Sequence, residues 1–119
     1  MPQARSIELD TGSDPLTLQV GGLTLKGPDL GVLEDQVHQA FDDGLISKND
    51  ESALEVVLGQ ARREELASLV DHAGLSQAEI SRRLGKADNF IRRKTAEHGA
   101  QVYMADIYAV RGLIEQLQQ

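Results

Sequence analysis

Gly74-Leu75-Ser76-Gln77-Ala78-Glu79-Ile80-Ser81-Arg82-Arg83-Leu84-Gly85 is the stretch that decides the fold of this chain. Ser76 followed three residues later by Glu79 is a capping box: the serine oxygen accepts from a first-turn amide, and the glutamate reaches back to the cap amide. The helix it opens is short, with Ile80 and Leu84 facing inward and Gly85 closing it. Lys86-Ala87-Asp88-Asn89 then makes a tight connection. A second helix is expected over about 88–98, with Phe90 and Ile91 apolar, Arg92-Arg93-Lys94 polar, and His98-Gly99 at its end. Upstream, Leu66, Leu69, Val70 and Ala73 form an apolar stripe stopped by Gly74. Downstream, Ile107, Val110, Leu113, Ile114 and Leu117 fall at helical spacing in a helix from about Val102. The segment from Leu66 to Leu117 therefore reads as a small all-helical domain.

A short helix, a glycine-containing turn and a second short helix are the outline of a helix-turn-helix. Gly74 to Gly85, with Ile91 six residues on, resembles the helix-turn-helix of the Cro/cI (lambda-repressor-like) family: a turn, Ser-Gln, an acidic residue, an aliphatic one, a small one, then Leu-Gly, and an aliphatic residue in the recognition helix. The likeness covers roughly residues 62–117; a similar motif occurs in the ParB partition family. It implies a sequence-specific transcriptional regulator of bacterial or phage type, with the 88–98 helix in the major groove of double-stranded DNA. It also implies that Gln77 touches a phosphate and that Asp88, Asn89 and Arg93 face bases with Arg92 beside them. The chemistry suits those roles, since Asn pairs bidentately with adenine, Arg with guanine, and Asp accepts from the cytosine amino group. Arg82, Arg83, Lys86 and Lys94 are expected to add phosphate contacts, which position rather than specify. The chain departs from the family pattern twice. Ala87 stands where a Ser or Thr cap is usual, leaving Asp88 or Asn89 as the alternative cap. Lys94 stands where an apolar core residue is usual, so that the recognition helix is rotated or shortened, or DNA binding altered.

The first 28 residues read as strands. Ser6 to Asp10 alternates polar and apolar, and so do Leu16 to Val20 and Leu23 to Leu25. Gly21-Gly22 suits a two-residue type I′ or II′ hairpin loop, since both glycines can take φ > 0. That loop pairs Val20 with Leu23 and Leu18 with Leu25, so all four apolar side chains share one side of the ribbon. Ile7 to Leu9 is a candidate third strand. Asp29 is placed to cap a helix from about Leu30 to Asp42, with Leu30, Leu33, Val37, Ala40 and Phe41 on one face. Ser47–Asp50 reads as a polar turn. A further helix from about Glu51 carries Ala53, Leu54, Val57 and Leu58 and ends at Gly59 or runs on through Arg62. The fold class is thus mainly α: a helix-turn-helix bundle preceded by a small β-hairpin or meander and one or two extra helices. The domain reading is an acidic segment over 1–59 and a DNA-binding domain over 60–119.

Charge divides along the same line. The 119-residue chain carries −7 overall. Residues 1–59 hold three basic residues against eleven acidic, a net −8, while residues 60–119 hold nine against eight, a net +1. Between Ser76 and Gly99 there are six basic residues and three acidic, a local +3. Such asymmetry points to two functions in one chain. The acidic first half is a candidate surface for a basic protein partner, as in an antitoxin or phage inhibitor whose helix-turn-helix serves autoregulation or acts as a scaffold.

The chain has no cysteine, which excludes disulfides and thiolate metal sites. His38, His72 and His98 have no ligand-like spacing, and no metal or cofactor is expected. Asp42-Asp43 reads as a helix end, and Gly21-Gly22 lacks the strand–loop–helix context of a phosphate loop. No constellation supports an enzyme. No apolar run approaches a membrane span or a signal peptide, so a cytoplasmic location is expected. Regulators of this type meet two half-sites as dimers. Val110, Leu113, Ile114 and Leu117 are candidates for that homodimer surface, or alternatively for the monomer core.

Overall fold

The computed structural model describes residues 6–118. Arg5, counted in the charge of the first half, lies outside them. Three strands are followed by five helices: β1 (Ile7–Asp10), β2 (Leu16–Val20), β3 (Leu23–Gly27), α1 (Leu30–Asp42), α2 (Lys48–Ala73), α3 (Gln77–Arg83), α4 (Phe90–Thr95) and α5 (Met104–Leu117). The fold is mainly helical with an N-terminal antiparallel sheet, as the sequence leads one to expect. The chain divides into two compact units, one ending at Leu58 and the other beginning at Gly59, so the boundary falls inside α2.

In the first unit the strands lie in the order β1-β2-β3. The hairpin has the register deduced from its glycines, Val20 opposite Leu23 and Leu18 opposite Leu25. The third strand joins with Ile7 opposite Val20 and Leu9 opposite Leu18. Strand periodicity puts Ile7, Leu9, Leu16, Leu18, Val20, Leu23 and Leu25 on one face and Glu8, Asp10, Thr17, Gln19, Thr24 and Lys26 on the other. A small sheet cannot stand with its apolar face in water, and α1 packs against β2 and β3. Leu18, Val20, Leu30, Leu33 and Val37 are accordingly buried. Asp29 caps α1, its carboxylate accepting the Val32 N–H at 2.9 Å.

Helix α2 differs from expectation. Ser47–Asp50 is not a plain polar turn but a reciprocal cap: the Asp50 N–H donates to Ser47 Oγ at 3.1 Å and the Ser47 N–H to the Asp50 carboxylate at 3.0 Å. The helix then runs 26 residues without a break, through Gly59 and into the stripe of Leu66 and Val70. One interior glycine costs only about 1 kcal/mol, no proline follows, and the turn after it is tied by a Gln60–Glu64 side-chain bond of 3.2 Å.

The second unit is built on Leu66, Val70, Ile80, Ile91, Val102, Ile107, Val110 and Leu113, with Leu69, Leu75, Leu84, Phe90 and Ile114 packed against them. Val110 and Leu113 are thus core, Ile114 flanks it, and Leu117 is exposed. Of the two roles open to that stripe, completing the unit's own core is the one the first three residues fill. Helix α5 begins at Met104 rather than Val102, and Val102 is buried ahead of it.

Candidate nucleic-acid interface

Helix α3 is placed by its cap. Ser76 Oγ accepts the Glu79 N–H at 3.1 Å, the serine half of the expected capping box, while the Glu79 carboxylate accepts from Arg82 and Arg83 rather than from the cap amide. Leu84 and Gly85 turn the chain, with Gly85 at φ +75°, a conformation that favours glycine. The Lys86 N–H returns to the Ser81 carbonyl at 2.9 Å, closing the turn onto α3.

Helix α4 is six residues long, Phe90 to Thr95, not the expected 88–98. At its start, Asp88 and Asn89 remain in the turn. At its end, the Ala100 N–H takes the Arg93 carbonyl at 2.9 Å and peels the chain away. A Cβ built on Gly99 would lie 1.8 Å from that carbonyl oxygen, so this close return requires glycine. The following loop is pinned from α2: Arg62 Nε donates to the Val102 carbonyl and Arg63 to the Glu97 carbonyl, both at 2.8 Å.

The short helix exposes one face and buries the other. Ile91 is fully buried, whereas Asn89, Arg92, Arg93 and Ala96 are exposed. Asn89 occupies the cap position at φ −93°, ψ 7° and makes no side-chain cap bond. Asp88 turns to Arg82, at 3.4 Å. The alternative caps weighed from the sequence are therefore both unused. The Ile91 N–H is instead satisfied by Ser81 Oγ on α3, at 3.1 Å. Ser81 is the residue that sequence reasoning missed. Its place four residues after Gln77, beside the buried Ile80, was the available signal.

The expected basic set falls into four groups. Arg82 and Arg83 are exposed but tied to Glu79, each at 2.9 Å. Hydrogen bonds from Arg82 and then Arg83 hold the Glu79 carboxyl below the usual glutamate value. The bond to Glu79, then the nearby Asp88 charge, raises the Arg82 guanidinium. Lys86 is exposed, its Nζ 5.6 Å from the Phe90 ring centroid. Among the described residues, the Arg92 and Arg93 side chains have no hydrogen bond or ion pair. Gln77 is exposed at the first position of α3.

Lys94 does not sit where a phosphate contact needs it. The residue is 9% exposed, and its Nζ donates to the Gln101 carbonyl at 2.6 Å, pairs with Asp106 at 3.1 Å, and lies over the Phe90 and Tyr103 rings. The lysine occupies a nearly buried position beside the core of the second unit. It does so because its stem is apolar and its charge meets a carboxylate that also accepts the Tyr103 N–H at 2.9 Å.

No family model, curated protein or solved structure matches the chain. Among the described residues, no helix is long and apolar enough to cross a membrane.

Proposed function

We propose that the protein is a sequence-specific DNA-binding transcriptional regulator whose α4 enters the major groove. The observation that carries this reading is the exposed, uncommitted face of α4. Asn89, Arg92 and Arg93 stand side by side at the start of a short helix braced by α3, with Lys86 at the flank. Asn and Arg are the residue types that read adenine and guanine edges bidentately. Gln77, Arg82, Arg83 and Lys86 surround them as phosphate contacts, Arg82 and Arg83 once released from Glu79. The chain's net negative charge lies in its first 59 residues, whereas Ser76 to Gly99 carries a local +3. Two copies on a two-fold site would double the contact set.

The test is a titration of duplexes covering the protein's own upstream region, at several salt concentrations, with Arg92→Ala/Arg93→Ala in parallel. Selective binding that falls with salt, and is lost in the double variant, is expected. A folded protein that binds no duplex at low salt removes the reading.

A second reading concerns the first unit alone and is compatible with the first. The polar sheet face is open, and Glu8, Leu9, Asp10, Thr17 and Gln19 line a pocket of about 500 Å³ there. Together with the eleven acidic residues of the first 59, this supports a basic protein partner of the kind an antitoxin or phage inhibitor masks. Co-elution with the product of the adjacent reading frame, abolished by Glu8→Lys/Asp10→Lys, is the expected result. Unchanged co-elution places the contact elsewhere.

A further inference from the structure

We infer that Ser81 is a positioning residue for base recognition: it caps α4 from the supporting helix and so leaves the Asn89 amide free to read an adenine. The inference rests on the DNA-binding reading above and adds a division of labour to it. A helix normally satisfies its early amides with the side chain of its own cap residue, which holds extended backbone angles to aim that side chain backward. Asn89 has φ −93°, ψ 7°, is exposed, and makes no such bond. The Phe90 N–H goes to the Ala87 carbonyl at 2.9 Å, and the Ile91 N–H goes to Ser81 Oγ at 3.1 Å. Ser81 is fully buried and donates its own proton to the Gln77 carbonyl at 2.8 Å, which orients the oxygen lone pairs toward Ile91. The hydroxyl thus does from α3 what the asparagine would otherwise do from α4. An asparagine spent on a cap offers its carbonyl oxygen to the backbone and cannot present the paired donor and acceptor that adenine requires.

When the hydroxyl is removed, the buried Ile91 N–H needs another acceptor, and Asn89 already holds the cap position of α4. Base preference at the position it reads then fades, while phosphate contacts persist. The experiment selects from a randomised duplex library with the full chain and measures affinities for wild type, Ser81→Ala, Ser81→Thr, Asn89→Ala and the Ser81→Ala/Asn89→Ala double variant. Circular dichroism checks the folding of each. Ser81→Cys, of similar volume but a poor acceptor, replaces Ser81→Ala if that variant does not fold. The expected result is that Asn89→Ala and Ser81→Ala relax the same single base pair by about tenfold. Ser81→Thr restores the preference, the double variant is no less selective than either single one, and affinity for unselected duplex changes little. Full preference retained in Ser81→Ala overturns the proposal, as does a uniform loss at all positions that follows thermal stability. A folded wild type that selects no sequence is a different failure: it removes the DNA-binding reading itself, and the proposal with it.

Discussion

Ser81 Oγ joins the two helices of the motif by accepting the Ile91 N–H at 3.1 Å while both residues are fully buried. A buried donor left without a partner costs roughly 1–3 kcal/mol. Ser81→Ala alone is expected to lower stability by about 1 kcal/mol, because Asn89 is at hand to replace the cap, and the double variant with Asn89→Ala by about 3 kcal/mol. Urea denaturation of the four corners of this cycle measures the coupling. Strict additivity would show that Asn89 never substitutes for the hydroxyl.

Lys94 and Asp106 make the second link between α4 and its surroundings. Removing the carboxylate strands a nearly buried ammonium, whereas replacing the lysine by an apolar chain of similar length leaves the Asp106 carboxylate in the first turn of α5, still accepting the Tyr103 N–H. Asp106→Ala is expected to cost about 3 kcal/mol and Lys94→Met less than about 1.5 kcal/mol. Lys94→Met should also leave the salt dependence of DNA binding unaltered, whereas Arg92→Ala or Lys86→Ala should reduce its slope by about one. A reduced slope in Lys94→Met would return that lysine to the phosphate contacts.

Two glycines of the second unit should respond in opposite directions to alanine. The Gly99 position has no room, since a Cβ would meet the Arg93 carbonyl at 1.8 Å. Gly99→Ala must displace backbone and is expected to destabilise by more than about 3 kcal/mol. Gly112 lies inside α5 with nothing within 4 Å of its would-be Cβ. Gly112→Ala should stabilise by about 0.5–1 kcal/mol through helix propensity. Thermal melts of the pair test both statements.

The Glu79 carboxyl gives the interface an acid-side dependence. Its folded value lies below the ordinary one because Arg82 and Arg83 bond the ionised form. Its contribution is therefore fully present above the ordinary glutamate value and lost as pH falls through the depressed value. Glu79→Gln should flatten that part of the stability profile. It should also free the two arginines, which raises the salt slope of DNA binding rather than lowering it. An unchanged slope would mean that the arginines do not reach phosphate.

Much of the fold was legible because it depends on short-range rules. The Gly21-Gly22 loop fixed the hairpin register, Asp29 announced α1, and Ser76 with Glu79 announced α3. The errors share a cause. Ser47–Asp50 reads as a turn although it holds a cap, and the sequence leaves the helix either ending at Gly59 or running on through Arg62, because a local glycine signal does not reveal how the helix on either side is held. Helix α4 is shorter than the expected 88–98 because its end is dictated by the return of the chain at Gly99 onto the Arg93 carbonyl, a contact no periodicity encodes.

At the candidate site, residue types, their order and their charge are local properties of the chain. Asn89, Arg92 and Arg93 follow a capped helix and a glycine turn, and a helical repeat places them on one exposed face. Which charges remain at the surface and which amides need a partner is settled by packing. Lys94 and Arg92 are both basic and two residues apart. One is drawn inward because Asp106 and the Gln101 carbonyl, far along the chain, meet its ammonium there, and the other stays in solvent. Ser81 likewise acquires its role only when Ile91 is brought against it. Burial and hydrogen-bond satisfaction are properties of neighbours in space, and those neighbours exist only once the chain has folded.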